Sequence, residues 1–348
     1  MNKKIRVLHL LTSSSFSGAE NVVCQIINSF SEVNEFEVCY CSPDGIIREM
    51  LRENNIKFLP IKKFSILNVK EAIKKFNPDI IHAHDIRASV VAGLVSKKCK
   101  VISHLHGNHN DMRKINIKTI AYLIMHKKFK SIICVSESIK CDFIFNKVLE
   151  RAVILYNVLN RDELISKIKK DSNNYNYDVV FLGRLNNIKD PLRILDIFNN
   201  IYEKDNKVKM AFIGDGELKE SLINKIKELN LQENISVLGY IKNPYKILSQ
   251  SKVLIMASKY EGTPMCVLES MALGIPVVST PVDGIKDIIE DGINGFLSSN
   301  DIMLSKYIYE IISDIEKSRK MRENSLAKFH EINNIGDYKK TIINIYNK

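Results

Sequence analysis

Two doubly wound α/β domains in tandem, each built on a parallel sheet, are the architecture predicted here, and three observations lead to it. Short runs that are apolar nearly throughout alternate with longer stretches of helical period, the pattern of parallel strands buried on both faces. The series restarts after the polar, Asn-rich "IKKDSNNYNY" (168–177), a composition that suits a linker. The length of 348 residues fits two domains of ordinary size.

The first domain, taken as residues 1–170, offers the strands "IRVLHL", "FEVCYC", "DIIHA", "KVISH", "SIICV" and "AVILY" in turn. Its opening, "MNKKIRVLHLLTSSS", starts basic like a signal peptide. The apolar stretch then breaks into serines without a small-residue cleavage site, so it reads as a first buried strand leaving into a loop. The second domain, 171–348, offers "DVVFLG", "KMAFIG", "ISVLG", "VLIMA" and "PVVST". Sheets of this kind bind ligands at the carboxyl ends of their strands, and with two domains the natural site is the cleft between them.

Hydrophobic residues make up 45% and charged residues 26% of the chain, the balance of a globular protein with sizeable cores. No apolar run approaches the roughly 18–20 residues that span a bilayer. The seven cysteines are scattered through apolar segments with no C-x-x-C and no zinc-ligand spacing. They read as buried small hydrophobes in a reducing cytoplasm. The net charge of +11 is uneven: residues 1–170 hold 28 Lys+Arg against 16 Asp+Glu, the remainder 23 against 24. A basic half calls for an acidic partner, whether nucleic acid, anionic membrane or charged substrate.

Candidate chemistry concentrates in the second domain. Its first strand ends "FLGRLNNIKDP" (181–191). There Gly183 lets the chain turn sharply, and Arg184 and Lys189 sit where a strand-end crevice would receive a phosphate. Alone, that turn is weak evidence and reads more readily as a solvated surface charge. "FIGDGELKE" (212–220) resembles a phosphate loop but lacks the third glycine of the dinucleotide fingerprint, which disfavours a dehydrogenase. "SKYEGTPMCVLESMALGIPVVST" (258–280) keeps Glu261 and Glu269 eight positions apart. Thr263 is a capping type and Pro264 suits a first helical position, so a helix is expected to begin between the two carboxylates. Glu269 lies among apolar neighbours, where a charge without a partner is costly. Such a pair, with free helix amides between, suits an anionic ligand that also carries hydroxyls.

At these residues the chain resembles the retaining GT-B glycosyltransferases of family 4 (glycosyl transferases group 1). "EGTPMCVLESMALGIPVVSTPVDGIKDIIEDGINGFL" resembles that family's donor signature with its E-x7-E motif. The Gly-Arg and Lys elements, "FIGDGEL", "VLGYI", "SGAENVV", "DIIHAHD" and "HLHGNH" follow at the family's intervals. The resemblance implies two Rossmann-like domains facing a cleft, an N-terminal acceptor domain and a C-terminal nucleotide-sugar domain. It also implies a last helix, about 336–348, returning to the first domain.

It further implies that Arg184 and Lys189 clamp the donor diphosphate with the amides of Met265 and Cys266. Glu269 would hold the ribose hydroxyls, Glu261 would contact the transferred sugar, and His106 would line the cleft beside it. Gly183 and Gly18 would allow close approach of the backbone, and Ile241 would border the base. Ser17-Gly18-Ala19 stands where two glycines are frequent, and Asp283 and Asp287 where Gly and Glu are often seen.

The function expected is therefore transfer of a hexose or N-acetylhexosamine from a nucleotide diphosphate sugar. A UDP-sugar is favoured, with a GDP-sugar as the other possibility, and the acceptor is a glycan or lipid-linked molecule of bacterial surface polysaccharide. No D-x-D occurs, so no metal or other cofactor is expected; Arg, Lys and a helix dipole would stabilise the departing diphosphate. His82, His84, His104 and His109 read as structural groups that hydrogen-bond locally. "MRKINIKTIAYLIMHKKFK" (112–130) reads either as a core helix with a solvated basic face or as a surface for anionic lipid. The second reading puts the protein at the inner face of the cell membrane. A GT-B-shaped epimerase and a nucleic-acid-binding protein are the alternatives, the latter without any visible binding motif.

Overall fold

The computed structural model describes residues 4–15, 18–30, 33–96, 98–107 and 110–348. In chain order the elements are β1 (Ile5–Leu10), α1 (Gly18–Ser29), β2 (Phe36–Pro43), α2 (Ile47–Glu53), β3 (Phe58–Ile61), α3 (Ile66–Phe76), β4 (Ile80–Ala83), α4 (Ile86–Val95), β5 (Lys100–Leu105), α5 (Ile117–Met125), β6 (Phe129–Cys134), α6 (Glu137–Asp142) and β7 (Val153–Ile154). Next come α7 (Arg161–Lys170), β8 (Val179–Leu182), α8 (Pro191–Tyr202), β9 (Met210–Ile213), α9 (Lys219–Glu228), β10 (Ile235–Gly239), α10 (Tyr245–Gln250), β11 (Val253–Met256) and α11 (Met265–Ala272). The chain finishes with β12 (Val277–Ser279), α12 (Asp283–Lys286), β13 (Gly295–Leu297), α13 (Asp301–Ser313), α14 (Ile315–Ile332) and α15 (Ile335–Asn347).

The chain forms two compact units. One is Met1–Val158 with Ile335–Lys348, the other Leu159–Asn334. The first holds a seven-stranded parallel sheet in the order β3-β2-β1-β4-β5-β6-β7, the second a six-stranded one in the order β10-β9-β8-β11-β12-β13. In both, strand order reverses beside the first strand, between β1 and β4 and between β8 and β11, and the reversal opens a crevice at the strands' carboxyl ends. Alternation along β1 sends Leu8 and Leu10 into a core with α3 and α4 residues such as Val69 and Ala88. His9 is left for the opposite face. The second unit's core joins Phe181 and Phe212 of the sheet to Ile194, Phe198, Leu304 and Ile308 of α8 and α13.

Several expectations are corrected. The boundary falls at residue 158/159 rather than 170/171. Asn160 caps α7 by accepting from the amides of Asp162 and Glu163, and Leu164 is buried, so the "IKKDSNNYNY" tract joins α7 to β8 inside the second unit. The edge strands β3 and β13 were not foreseen. Pro60 obscures β3, as a proline does in an edge strand, and β13 is only three residues long. The cysteines are all free, but Cys141 is exposed and Cys99 half-buried, so the buried-hydrophobe reading holds for the other five.

Candidate active site

Topology explains the first half of this site. Because β8 and β11 are neighbours, their carboxyl ends bring together groups far apart in sequence. The end of β8 is tight: a Cβ on Gly214 would lie 1.8 Å from the Gly183 carbonyl oxygen, an approach only glycine permits. Beyond Gly183 the Asn186 side chain accepts from the amides of Ile188 (3.1 Å) and Lys189 (3.0 Å), a local turn typical of asparagine. That turn carries the Lys189 ammonium to Glu261, Nζ to Oε1 at 2.5 Å. Burial works against the Lys189 charge, but Glu261 and then the Cys266 sulfur outweigh it and hold the ammonium above its ordinary range. The Lys189 pictured as a clamp is thus already paired with Glu261, through a contact the motif spacing did not reveal. Arg184 lies exposed at the strand end, and Ile241 is half-buried after β10.

Helix α11 begins one residue later than expected. Pro264 is its N-cap, with φ −72° and ψ 123°, and no side chain caps it; the Val267 amide makes the first turn's bond to the Pro264 carbonyl at 3.1 Å. The cap assigned to Thr263 and the first-turn position assigned to Pro264 are both corrected. The amides of Met265 and Cys266 stand at the positive end of the helix with no intrahelical acceptor. The loop before α11 is pinned by Gly284, whose Cβ would fall 1.7 Å from the Gly262 carbonyl oxygen.

Every residue of α11 is buried, Glu269 included. The Tyr245 hydroxyl of α10 donates to its carboxylate at 3.3 Å. Lys167 of α7, paired with Glu163 at 2.5 Å, lies over the Tyr245 ring 5.6 Å from its centre. Burial raises the Glu269 carboxyl to about 7, with the Tyr245 bond and then Lys167 pulling the other way. Tyr245 and Lys167 were not anticipated; neither sits in a motif, and only packing brings them to Glu269.

In the first unit, Gly18 opens α1, while Ser17 and His109 lie outside the described residues. His106 follows β5 and meets His84, Nε2 to Nδ1 at 2.9 Å; burial depresses its pKa to about 3. His82, His84 and His104 do more than close their own strands. With His9 they form one cluster on a single face of the sheet, at the ends of β1, β4 and β5. The signal was present in the alternate positions of His82/His84 and His104/His106, but the register that sets His9 beside His82 is a property of the sheet.

Two comparisons bear on this arrangement. Residues 162–328 match the family model of glycosyl transferases group 1, and residues 16–163 that of glycosyltransferase family 4. An uncharacterized glycosyltransferase of Methanocaldococcus jannaschii is 30% identical over 264 residues, covering 73% of this chain and 71% of its own. The chain belongs to the family 4 glycosyltransferases.

This glycosyltransferase is also 25% identical to the O-antigen biosynthesis glycosyltransferase WclY of Escherichia coli, over 94% of its own length and 93% of that protein. It is 24% identical to an E. coli UDP-Gal:alpha-D-GlcNAc-diphosphoundecaprenol alpha-1,3-galactosyltransferase, over 86% of each chain. The crystal structure of Anabaena HepE in complex with UDP-glucose superimposes with a TM-score of 0.85 at 19% identity, covering 98% of both chains. The fold is GT-B, and the protein is an enzyme of the hexosyltransferase class.

Proposed function

We propose that this glycosyltransferase transfers a hexose or N-acetylhexosamine, with retention at the anomeric carbon, from a UDP-sugar to a glycan or lipid-linked acceptor in surface polysaccharide synthesis. One observation carries the donor half of the reading: the Lys189–Glu261 pair, the uncapped start of α11 and buried Glu269 lie together at the strand-order reversal of the second unit. Lys189, Arg184 and the amides of Met265 and Cys266 suit a diphosphate. Glu269, buried on α11 and accepting from the Tyr245 hydroxyl, suits a pair of ribose hydroxyls. Glu261 would hand its cation to the diphosphate and accept from a sugar hydroxyl.

In the step proposed, the bond from the anomeric carbon to the β-phosphate oxygen breaks. The acceptor oxygen bonds to the same face, and its proton passes to the departing phosphate. The protein's part is to hold the diphosphate and stabilise the charge that develops on it, a task for these cations and amides in place of a metal. Preference for uridine is supported by the relative named for UDP-Gal, and a polysaccharide role by WclY.

The lipid-linked acceptor is supported by α5. Ile117, Ile120 and Ile124 are 88%, 42% and 63% exposed, with Ile115 beside them, among Lys114, Lys118, Lys127 and Lys128. That combination suits an anionic lipid surface and supports an acceptor carried at the inner face of the membrane. Among the described residues no helix is long and apolar enough to cross a membrane.

A thermal-shift panel of UDP-, GDP-, ADP- and dTDP-sugars without added metal tests the donor site. Stabilisation by UDP-sugars, weakened in Glu269→Ala, is expected. No shift from any donor at millimolar concentration would overturn the assignment.

A further inference from the structure

The geometry points to a binding site for a divalent transition-metal ion, Zn2+ by its ligand chemistry, in the first unit at His84, His104 and His106. Five imidazoles and one phenol form a single hydrogen-bonded chain there. His106 Nε2 meets His84 Nδ1 at 2.9 Å, and His84 Nε2 meets His9 Nδ1 at 2.9 Å. His9 Nε2 meets the Tyr346 hydroxyl of α15 at 3.4 Å, which meets His82 Nδ1 at 2.8 Å. His82 Nε2 then meets His104 Nδ1 at 3.1 Å. The chain doubles back on itself, so its ends adjoin, with the His104 and His106 rings 4.0 Å apart. The two terminal nitrogens, His104 Nε2 and His106 Nδ1, are buried with no hydrogen-bond partner among the described residues, and His104 is wholly buried.

Counting hydrogens sharpens this. Five neutral imidazoles and one phenol carry six N–H or O–H hydrogens, and the chain contains five bonds. One hydrogen is surplus, held at a free end or on Tyr346 without an acceptor. Such unsatisfied buried groups are rare because each loses its hydration without gaining a partner.

A cation fits where the lone pairs converge. One nitrogen from each of His84, His104 and His106 lies within 4.8 Å of the others, against about 3.4 Å between ligands of an ideal tetrahedral zinc, so modest side-chain movement closes the set. Three neutral nitrogens with no carboxylate select zinc, nickel, cobalt or copper over magnesium or calcium. His9, Tyr346 and His82 would orient the ligands from behind. With both ends turned to the cation, the surplus hydrogen rests on the Tyr346 hydroxyl, whose oxygen then accepts from His9 and His82. Both His84 ring nitrogens hold hydrogen bonds, to His106 and to His9, so ligation replaces one of them.

The test uses the full chain, free of any affinity tag, with no nucleotide present, so failure would leave the transferase reading standing. Equilibrium dialysis is expected to find one Zn2+ per chain, undisturbed by millimolar Mg2+ and weakened at least tenfold by His104→Gln. Should His104→Gln not fold, X-ray absorption of the Zn2+-loaded wild-type protein decides: imidazole nitrogens in a four-coordinate shell support the site, and a six-oxygen shell overturns it. Binding below one equivalent, displacement by Mg2+, or binding unchanged in His104→Gln would each overturn it.

Discussion

Glu269 is a carboxyl whose environment sets two opposite pH dependences. Its folded pKa of about 7 lies above the ordinary 4.5, so the folded state keeps its proton longer than the unfolded one. Stability contributed by this group is therefore greatest below about pH 4.5 and falls by up to about 3 kcal/mol as pH rises to about 7. Accepting from ribose hydroxyls needs the ionised form, so nucleotide binding should strengthen as pH rises to about 7. Titration calorimetry from pH 5.5 to 8 is expected to show Kd improving up to about tenfold per unit below pH 7. A pH-independent Kd in the wild type would remove Glu269 from the binding step, and Glu269→Gln should flatten the profile.

At Lys189 the expectation is chemical: Lys189→Ala leaves Glu261 without its cation and the diphosphate without a charge partner. A loss of about 10²–10³ in kcat/KM is predicted, and steady-state kinetics within tenfold of wild type would refute the clamp. Gly284→Ala tests the loop pinned against α11. With a Cβ 1.7 Å from the Gly262 oxygen, the loop must move, and thermal unfolding should show destabilisation of about 2 kcal/mol or more together with weaker donor binding.

Among the elements, α5 departs furthest from its amphipathic pattern. Its capping box at Asn116 and Thr119 fixes the start. Tyr122 turns inward to hydrogen-bond Ser103 at 2.8 Å while packing on Phe129. Burying Thr119 and Tyr122 sends Ile117, Ile120 and Ile124 outward, so the apolar residues of this helix divide between the core and the exposed surface. Vesicle co-sedimentation provides the test. Ile117→Ser with Ile124→Ser, or removal of the charges at Lys114, Lys118, Lys127 and Lys128, should each lower binding to anionic vesicles several-fold. Donor-induced thermal shifts should be unaffected. Equal sedimentation of wild type and variants would end the membrane reading.

Over the whole molecule, charge and acid sensitivity both concentrate in the first unit. It holds 27 Lys+Arg against 15 Asp+Glu, while the second holds 24 against 25. It also holds the five clustered histidines, all depressed, with burial as the first cause, and His9 down to about 3. A base whose folded pKa is lowered leaves the unfolded state binding more protons, so its stability contribution is complete above about pH 6.5 and is lost as pH falls toward 3. The slope approaches about 1.4 kcal/mol per unit for each histidine. Hydrogen exchange during acidification should therefore show β1, β4 and β5 losing protection before β8 and β11. Simultaneous loss in both sheets would contradict this.

The alternation of short apolar runs with longer stretches of helical period was enough to specify two parallel α/β sheets, because strands buried on both faces lose the polar alternation of half-exposed ones. The segment proposed to hold the donor was visible for a similar reason: Gly183-Arg184 and the spacing of Glu261 from Glu269 are short local patterns. What stayed hidden depended on long-range register. The Lys189–Glu261 pair follows from β8 lying beside β11, and Tyr245 reaches Glu269 through helix packing. The five-histidine chain requires β1, β4 and β5 in register, with Tyr346 arriving from the far end of the chain. Which side of α5 faces the core was likewise decided by its neighbours, since a helical period identifies a stripe but not the surface that covers it.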